Sequence, residues 1–253
     1  MANDPIHRLQ LLTRRAGNAL KGPSEDSTRI DGLDDAARVR YYEDAFARFG
    51  IWAARVEGHT GQSLDGRRAL DYGCGIGRTS LPLAERCEHV YGLDVSAAVL
   101  READRHAKRL EITNVEWLDA GRLAELAGSY DLVLSQYVFQ HIPSREGERI
   151  FAMLVRGLRP GGIGAIHVSL RPRSPLLGLA RWTVGSARSE ENPAGFVRGM
   201  DWSYPYMVMH SYSLNRLGRI LIDAGITGWH IRWELREGAG RTFETATIFF
   251  VKD

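Results

Sequence analysis

The stretch "ALDYGCGIGRTS", Ala69–Ser80, decides how this chain is read. An apolar run ends in glycines at positions 73, 75 and 77. Glycine there lets a strand turn sharply and brings bare backbone close to a ligand. A GxGxxG pattern also serves dinucleotides, so local chemistry has to discriminate. The dinucleotide fingerprint ends in Gly or Ala to let helix and strand pack closely, and this chain has Ser80. Asp71 stands two residues before Gly73, where a carboxylate repels a pyrophosphate and attracts an ammonium group. Asp94 follows Gly77 by 17 residues, at the end of "HVYGLD", where a carboxylate can take both hydroxyls of a ribose. A ligand with a ribose, a cationic head and no phosphate fits this pattern.

Outward from the turn the apolar pattern alternates in type. "RRALDYG" reads as a buried strand, Arg78–Arg86 as a helix, "HVYGLD" as a second strand, and Ser96 as the cap of a helix reaching about Leu110. "NVEWLD" is a third strand, "RLAELA" a short helix and "YDLVLSQ" a fourth strand. Glu146–Leu158 is a helix stopped by Pro160-Gly161-Gly162, and "IGAIHVSL" is a fifth strand. Strands separated by helices predict right-handed crossovers and a parallel sheet covered on both faces. A helix at Ser213–Ala224 precedes "GWHIRWEL", "REGAG" and "FETATIFFV", the last pair reading as an antiparallel hairpin. The expected fold class is α/β: a Rossmann-like, doubly wound, mostly parallel sheet with one reversed C-terminal strand and a cap insertion after the fifth strand. Residues 1–60 read as an N-terminal arm and helices, including Asp34–Glu57 with Gly50 as a candidate break. Residues 61–253 form the core, with the cap at about 171–212.

Composition narrows the class. The chain has 253 residues, 44% hydrophobic and 25% charged, with a net charge of +2, which gives no argument for nucleic acid or an anionic membrane. Cys74 and Cys87 form neither a disulfide framework nor a metal-ligand cluster. The first twenty residues lack the apolar core of a signal peptide, and no stretch approaches the ~20 apolar residues of a membrane span. A cytoplasmic location is expected, with no metal.

"DYGCGIG", "YGLDVS", "NVEWLDA", "YDLVLSQYVFQHIP" and "LRPGG", in that order over Arg67–Ser169, together resemble the class I S-adenosylmethionine-dependent methyltransferases. The resemblance implies S-adenosyl-L-methionine as cofactor. It implies that Asp71, Gly73 and Gly75 cradle its methionine moiety and that Asp94 holds the ribose with Val95 beside the adenine. Asp119, after Leu118, then faces the adenine amino group, and Ser135 and Gln136 lie under the methionine and sulfonium. Cys74 reads as a small turn residue. Tyr41 and Tyr42 are candidates for a lid over the cofactor.

An oxygen acceptor usually needs a base, whereas a neutral amine needs little beyond positioning. His141, in "QYVFQHIP", and His210, before Ser211 and Tyr212, are the candidate bases; His141 equally suits a pocket-shaping role, and His167 reads as a core histidine. The cap segment "FVRGMDWSYPYMVMHSY" is rich in aromatic and sulfur side chains. Its residues either bury the cap or line a pocket for an apolar or aromatic acceptor, and Trp202, Tyr206 and Tyr212 are the candidate acceptor contacts. Ser135-Gln136-Tyr137-Val138 stands where methyltransferases of nucleic-acid bases carry an Asp/Asn-Pro-Pro-aromatic motif, and the paired glutamates of arginine methyltransferases are missing too. A small-molecule acceptor, methylated on oxygen ahead of nitrogen, is expected, with no nucleic acid or membrane partner and an oligomer left open. Two competitors remain: a cofactor-binding accessory protein without turnover, and an NAD-dependent oxidoreductase, which Asp71 and Ser80 disfavour.

Overall fold

Tyr42, Ala45, Phe49, Ala53 and Val56 recur at three- and four-residue spacing, so on a helix they form one buried stripe. They carry the first of the described elements, α1 (Asp35–Thr60). The structure, a computed structural model, describes residues 35–170, 210–238 and 241–253. Gly50 does not break α1. It lies on the exposed side, where glycine costs only about 1 kcal/mol against alanine, and the buried stripe outweighs that.

The core follows as β1 (Arg68–Tyr72), α2 (Ser80–Ala84), β2 (His89–Asp94), α3 (Ala97–Arg109), β3 (Val115–Asp119) and a 3-10 segment at Ala120–Leu126. Next come β4 (Tyr130–Ser135), a 3-10 turn at Phe139–His141, α4 (Ser144–Gly157), β5 (Leu158–Ser169), α5 (Leu214–Asp223), β6 (Trp229–Gly238) and β7 (Arg241–Val251). The seven strands make one sheet in the order β3-β2-β1-β4-β5-β7-β6. Neighbours from β3 to β5 are parallel, and β7 runs antiparallel to both β5 and β6, so one strand is reversed, as the sequence predicts.

Both faces are covered, which is why the strands read as apolar runs and not as strict alternation. On one face Phe49, Ala53 and Val56 of α1 pack with Leu83 of α2 over Ala69, Leu134, Ala165 and Phe249. On the other, Phe151, Leu154 and Val155 of α4 and Leu217 and Leu221 of α5 cover Leu70, Val133, Ile166 and Phe250.

Three sequence expectations need adjustment. The helix expected over Arg78–Arg86 is the single turn and a half of α2, because residues 73–79 are spent on the turn out of β1. The "RLAELA" helix is 3-10, started by Asp119, whose side chain accepts from the Gly121 N–H at 2.8 Å. Pro160-Gly161-Gly162 does not separate helix from strand: β5 already begins at Leu158, and the register slips between the Tyr130–Leu158 and Leu132–Ile163 pairs. Proline has no N–H for the ladder and Gly161 adopts φ 71°, so the strand bulges there. The bulge is closed by Lys252, the residue after β7: Gly161 N–H donates to Lys252 O at 2.7 Å and Lys252 N–H to Gly162 O at 2.8 Å.

Candidate functional site

The parallel strands end on one edge of the sheet, and the turn after β1 folds back over that edge. Gly73 and Cys74 N–H groups both donate to Leu93 O, at 2.7 and 2.9 Å, which pins the turn to the end of β2. Gly73, Gly75 and Gly77 all have positive φ, 75°, 54° and 87°. Their roles differ. A Cβ on Gly73 would collide with the Val138 side chain after β4, and one on Gly77 would come within 2.9 Å of Trp117 Cη2. A Cβ on Gly75 would meet nothing within 4 Å. Gly73 and Gly77 are therefore glycine for packing, while Gly75 leaves an open cradle of backbone at the strand ends.

Carboxylates surround this cradle. Asp94 and Asp119 are register partners at the ends of β2 and β3. Asp94 accepts the Gly75 N–H at 3.0 Å on Oδ2 and the Ser96 N–H at 2.9 Å on Oδ1, tying the glycine turn to the start of α3. Each oxygen keeps a second lone-pair direction, and the side chain stays half-buried. Ser96 caps α3 as expected, its side chain accepting from the Val99 N–H. Val95, next to Asp94, is 81% exposed, an apolar surface beside the two strand ends.

Asp71 sits deeper than its sequence position suggests. It is only 2% exposed, and its Oδ2 accepts the Ser80 hydroxyl at 2.6 Å. Burial pushes its pKa up to about 6, the Ser80 bond pulls it down, and the Asp94 charge pushes it up again. Ser80, the departure from the dinucleotide fingerprint, is thus the group that keeps Asp71 hydrogen-bonded. Leu118 and Ser135 are buried as well, and the Ser135 hydroxyl donates to Tyr72 O at 2.9 Å, locking β4 to β1. Of the residues assigned to the cofactor, Gly73, Gly75, Asp94, Val95, Asp119 and Gln136 retain accessible surface, and Asp71, Leu118 and Ser135 support them from beneath. Cys74 is buried, and burial pushes its thiol pKa up, so it fills the turn as a neutral group. From α1, Tyr42 donates its hydroxyl to Ile76 O at 2.7 Å, and the Tyr41 ring lies 5.1 Å from the Arg78 guanidinium carbon, so both tyrosines rest against the glycine turn.

The far end of the site is built by β4, β5 and the chain returning at residue 210. His210 N–H donates to Gln140 O at 2.8 Å and Tyr212 N–H to Ser169 O at 2.9 Å. His141 is exposed, with Nε2 3.1 Å from Gln140 Nε2, and partial burial followed by the neighbouring His210 lowers its pKa from 6.5. His210 itself is buried. Tyr212, expected as an acceptor contact, is placed otherwise. It is 4% exposed, with its hydroxyl 2.7 Å from Ile142 O and 2.9 Å from Phe139 O, and its ring packs on Phe139. A buried phenol takes such a place when its polar end finds backbone partners. Trp202 and Tyr206 lie outside the described residues. Among the described residues no three His, Cys, Asp or Glu side chains come together as metal ligands. No helix among them is long and apolar enough to cross a membrane.

Sequence reasoning missed Tyr137. It has φ 58°, unusual for a bulky side chain, and its ring lies 4.4 Å from that of His167. Nothing in "SQYVF" marks a left-handed residue. It also missed a cleft lined by Gln136, Tyr137, His167, Arg55, Arg232 and Glu234, whose residues are scattered from α1 to β6.

Residues 69–162 match a family profile described as a methyltransferase domain. The chain is 30% identical over 176 residues to a trans-aconitate 2-methyltransferase of Azoarcus sp. (strain BH72), covering 65% of this chain and 67% of that protein. It is 36% identical over 124 residues to a magnesium-protoporphyrin O-methyltransferase of Synechocystis sp., covering 49% of this chain and 48% of that one. Several other curated relatives are matched over about half of their length or less. Among solved structures, magnesium protoporphyrin IX methyltransferase from Synechocystis PCC 6803 with bound SAH shares the fold, with a TM-score of 0.56 and 20% identity over 87% of this chain and 89% of that one. The glycine turn, the acidic strand ends and the reversed last strand, taken with two-thirds coverage of a relative at 30% identity, lead to one conclusion: the chain belongs to the class I S-adenosylmethionine-dependent methyltransferases.

Proposed function

We propose that this protein transfers a methyl group from S-adenosylmethionine to a small-molecule acceptor, on oxygen in preference to nitrogen. The observation that carries the reading is the open backbone cradle at Gly75, flanked by the Asp94 and Asp119 carboxylates and underlain by Asp71. Negative charge at that position suits a cationic nucleoside and opposes a diphosphate. When bound, S-adenosylmethionine supplies an activated methyl group on a positively charged sulfur. Gly73 and Gly75 would hold its methionine part over Asp71, with Ser135 and Gln136 beneath the sulfonium. Asp94 would hold the ribose, and Val95, Leu118 and Asp119 the adenine.

The acceptor side is assigned to the ends of β4 and β5. A hydroxyl acceptor gives up a proton on methylation; His141 is the side chain proposed to take it, because its lowered pKa leaves it neutral at pH 7, with His210 beside it. An acceptor that arrives ionised needs no such help. The relatives matched above act, by name, on trans-aconitate and on magnesium-protoporphyrin, the latter as an O-methyltransferase, which supports both the small acceptor and oxygen. A cytoplasmic location belongs to this reading. Calorimetric titration with S-adenosylmethionine, S-adenosylhomocysteine and NAD tests the cofactor assignment. Binding of the first two and none of NAD is expected; retention of NAD alone overturns it.

A further inference from the structure

The cleft that sequence reasoning missed lies between α1 and the β5–β7–β6 part of the sheet. Arg55 enters from α1, and Arg232 stands in register with Thr247 and, through it, with His167. Gln136 and Tyr137 form its near wall, and they continue the chain directly from Ser135 at the end of β4. One end of the cleft thus abuts the place assigned above to the sulfonium.

Its charge is unbalanced. Arg55 Nη1 is 3.8 Å and Arg232 Nε 3.2 Å from the same oxygen of Glu234, so two guanidinium groups share one carboxylate oxygen. Each guanidinium is a fork of several N–H donors that keeps its charge at any working pH. His59 and His230 lie close by, and His59 is lowered from 6.5 by burial, by His230 and by Arg232. Among the described residues that line the cleft, Glu234 is the sole acidic side chain. The rest of the lining is aromatic and polar: Trp52 and Phe249 with Tyr137 and Gln136. The chemistry of this lining matches a small molecule carrying an anionic group on an apolar or aromatic frame, with the anion between the two arginines.

We infer that the acceptor is a carboxylate, held in this cleft by Arg55 and Arg232 and methylated on a carboxylate oxygen to give a methyl ester. The inference rests on the methyl-transfer reading and names the substrate class at that site. A carboxylate oxygen supplies the electron pair of the new O–CH3 bond. The C–S bond breaks with its pair left on sulfur, and the negative charge of the acceptor cancels the positive charge of the sulfonium. No proton moves, so no base is required, and His141 takes no proton. The arginines bind and orient an anion that water would otherwise stabilise, and they cannot compete as nucleophiles because they stay protonated.

The test uses the whole chain with methyl-tritiated S-adenosylmethionine and the small-molecule fraction of a cell extract, followed by mild alkali. Methyl esters hydrolyse and release volatile tritiated methanol, whereas methyl ethers and N-methyl groups keep their label. Alkali-labile label is expected. An alkali-stable product overturns the carboxylate assignment and leaves methyl transfer standing; no labelled product in any fraction overturns both. At limiting acceptor, Arg232→Gln is expected to slow alkali-labile labelling about 10-fold and Arg232→Glu about 100-fold, the range of lost charge-assisted contacts. S-adenosylhomocysteine affinity should be unchanged in both. Equal labelling in all three proteins, or a loss of S-adenosylhomocysteine affinity, overturns the role given to the arginines.

Discussion

The two ends of the site are made of different materials. At the β1–β2 end the open cradle is fixed mainly by backbone, with N–H groups of Gly73, Cys74, Gly75 and Ser96 all tied to Leu93 or Asp94. These residues fall within one strand–turn–helix–strand unit. At the β4–β5 end the cleft is walled by side chains from residue 52 to residue 249, brought together only by packing. Backbone cradles demand glycines at set spacing, so they leave a readable mark in sequence. Side-chain walls need only compatible chemistry at each place, so they leave almost none. A fold can therefore keep one end constant while the other is free to change acceptor.

The sharpest way to break this contrast is to load the turn with side chains. Gly73→Val combines a left-handed backbone with a collision against Val138 and is expected to cost about 4 kcal/mol of unfolding free energy, measured by urea denaturation. Gly75→Ala meets open space but must hold a left-handed backbone, so it is expected to cost about 1–2 kcal/mol of stability, well short of Gly73→Val, while losing S-adenosylhomocysteine affinity about 10-fold. If both variants lose only stability, the cradle is not a ligand site.

Asp71 offers a second lever. Its pKa is raised from 3.8 to about 6, so the folded chain binds the proton more tightly than the unfolded one. Stability from this group is fully present below about pH 4 and is lost as pH rises through 6, by about 3 kcal/mol. Asp71→Asn should remove that loss, and so be more stable than the parent at pH 7, while binding the cationic nucleoside less well. Denaturation curves at pH 4 and pH 7 check the sign; an unchanged difference between the two proteins would show that Asp71 is not the buried acid described. Asp94→Ala comes next, with cofactor binding weaker by about 1.5–3 kcal/mol in calorimetry. The smallest effect is expected for His141→Ala. With a carboxylate acceptor its turnover should fall well short of the ~100-fold that loss of a general base costs, and its pH–rate profile should keep its shape. A full ~100-fold loss at unchanged cofactor affinity would restore His141 as a base and a hydroxyl as the acceptor.

Several differences between sequence and structure share one origin. Tyr212 read as an acceptor contact because it is aromatic and closes the cap; it is buried because Phe139 O and Ile142 O stand where its hydroxyl can reach them. Pro160-Gly161-Gly162 read as a stop signal; it is a bulge because Lys252, just past β7, serves as its partner. Asp71 read as part of the cradle for the methionine moiety; Ser80 and the covering α2 draw it beneath that surface. In each case the deciding partner is remote in the chain or faces a direction that local pattern does not specify.

By itself the sequence determined the order of strands and helices, the covered parallel sheet with its reversed last strand, the Ser96 cap and the glycine turn with its acidic neighbours. Those follow from hydrophobic period and backbone sterics, which act over a few residues. Only the tertiary structure decided which glycine faces open space, which carboxylate is buried, and that Arg55 and Arg232 meet at one carboxylate across a cleft beside β4. Those depend on contacts between elements far apart in the chain, where burial and charge pairing are fixed by the packed whole.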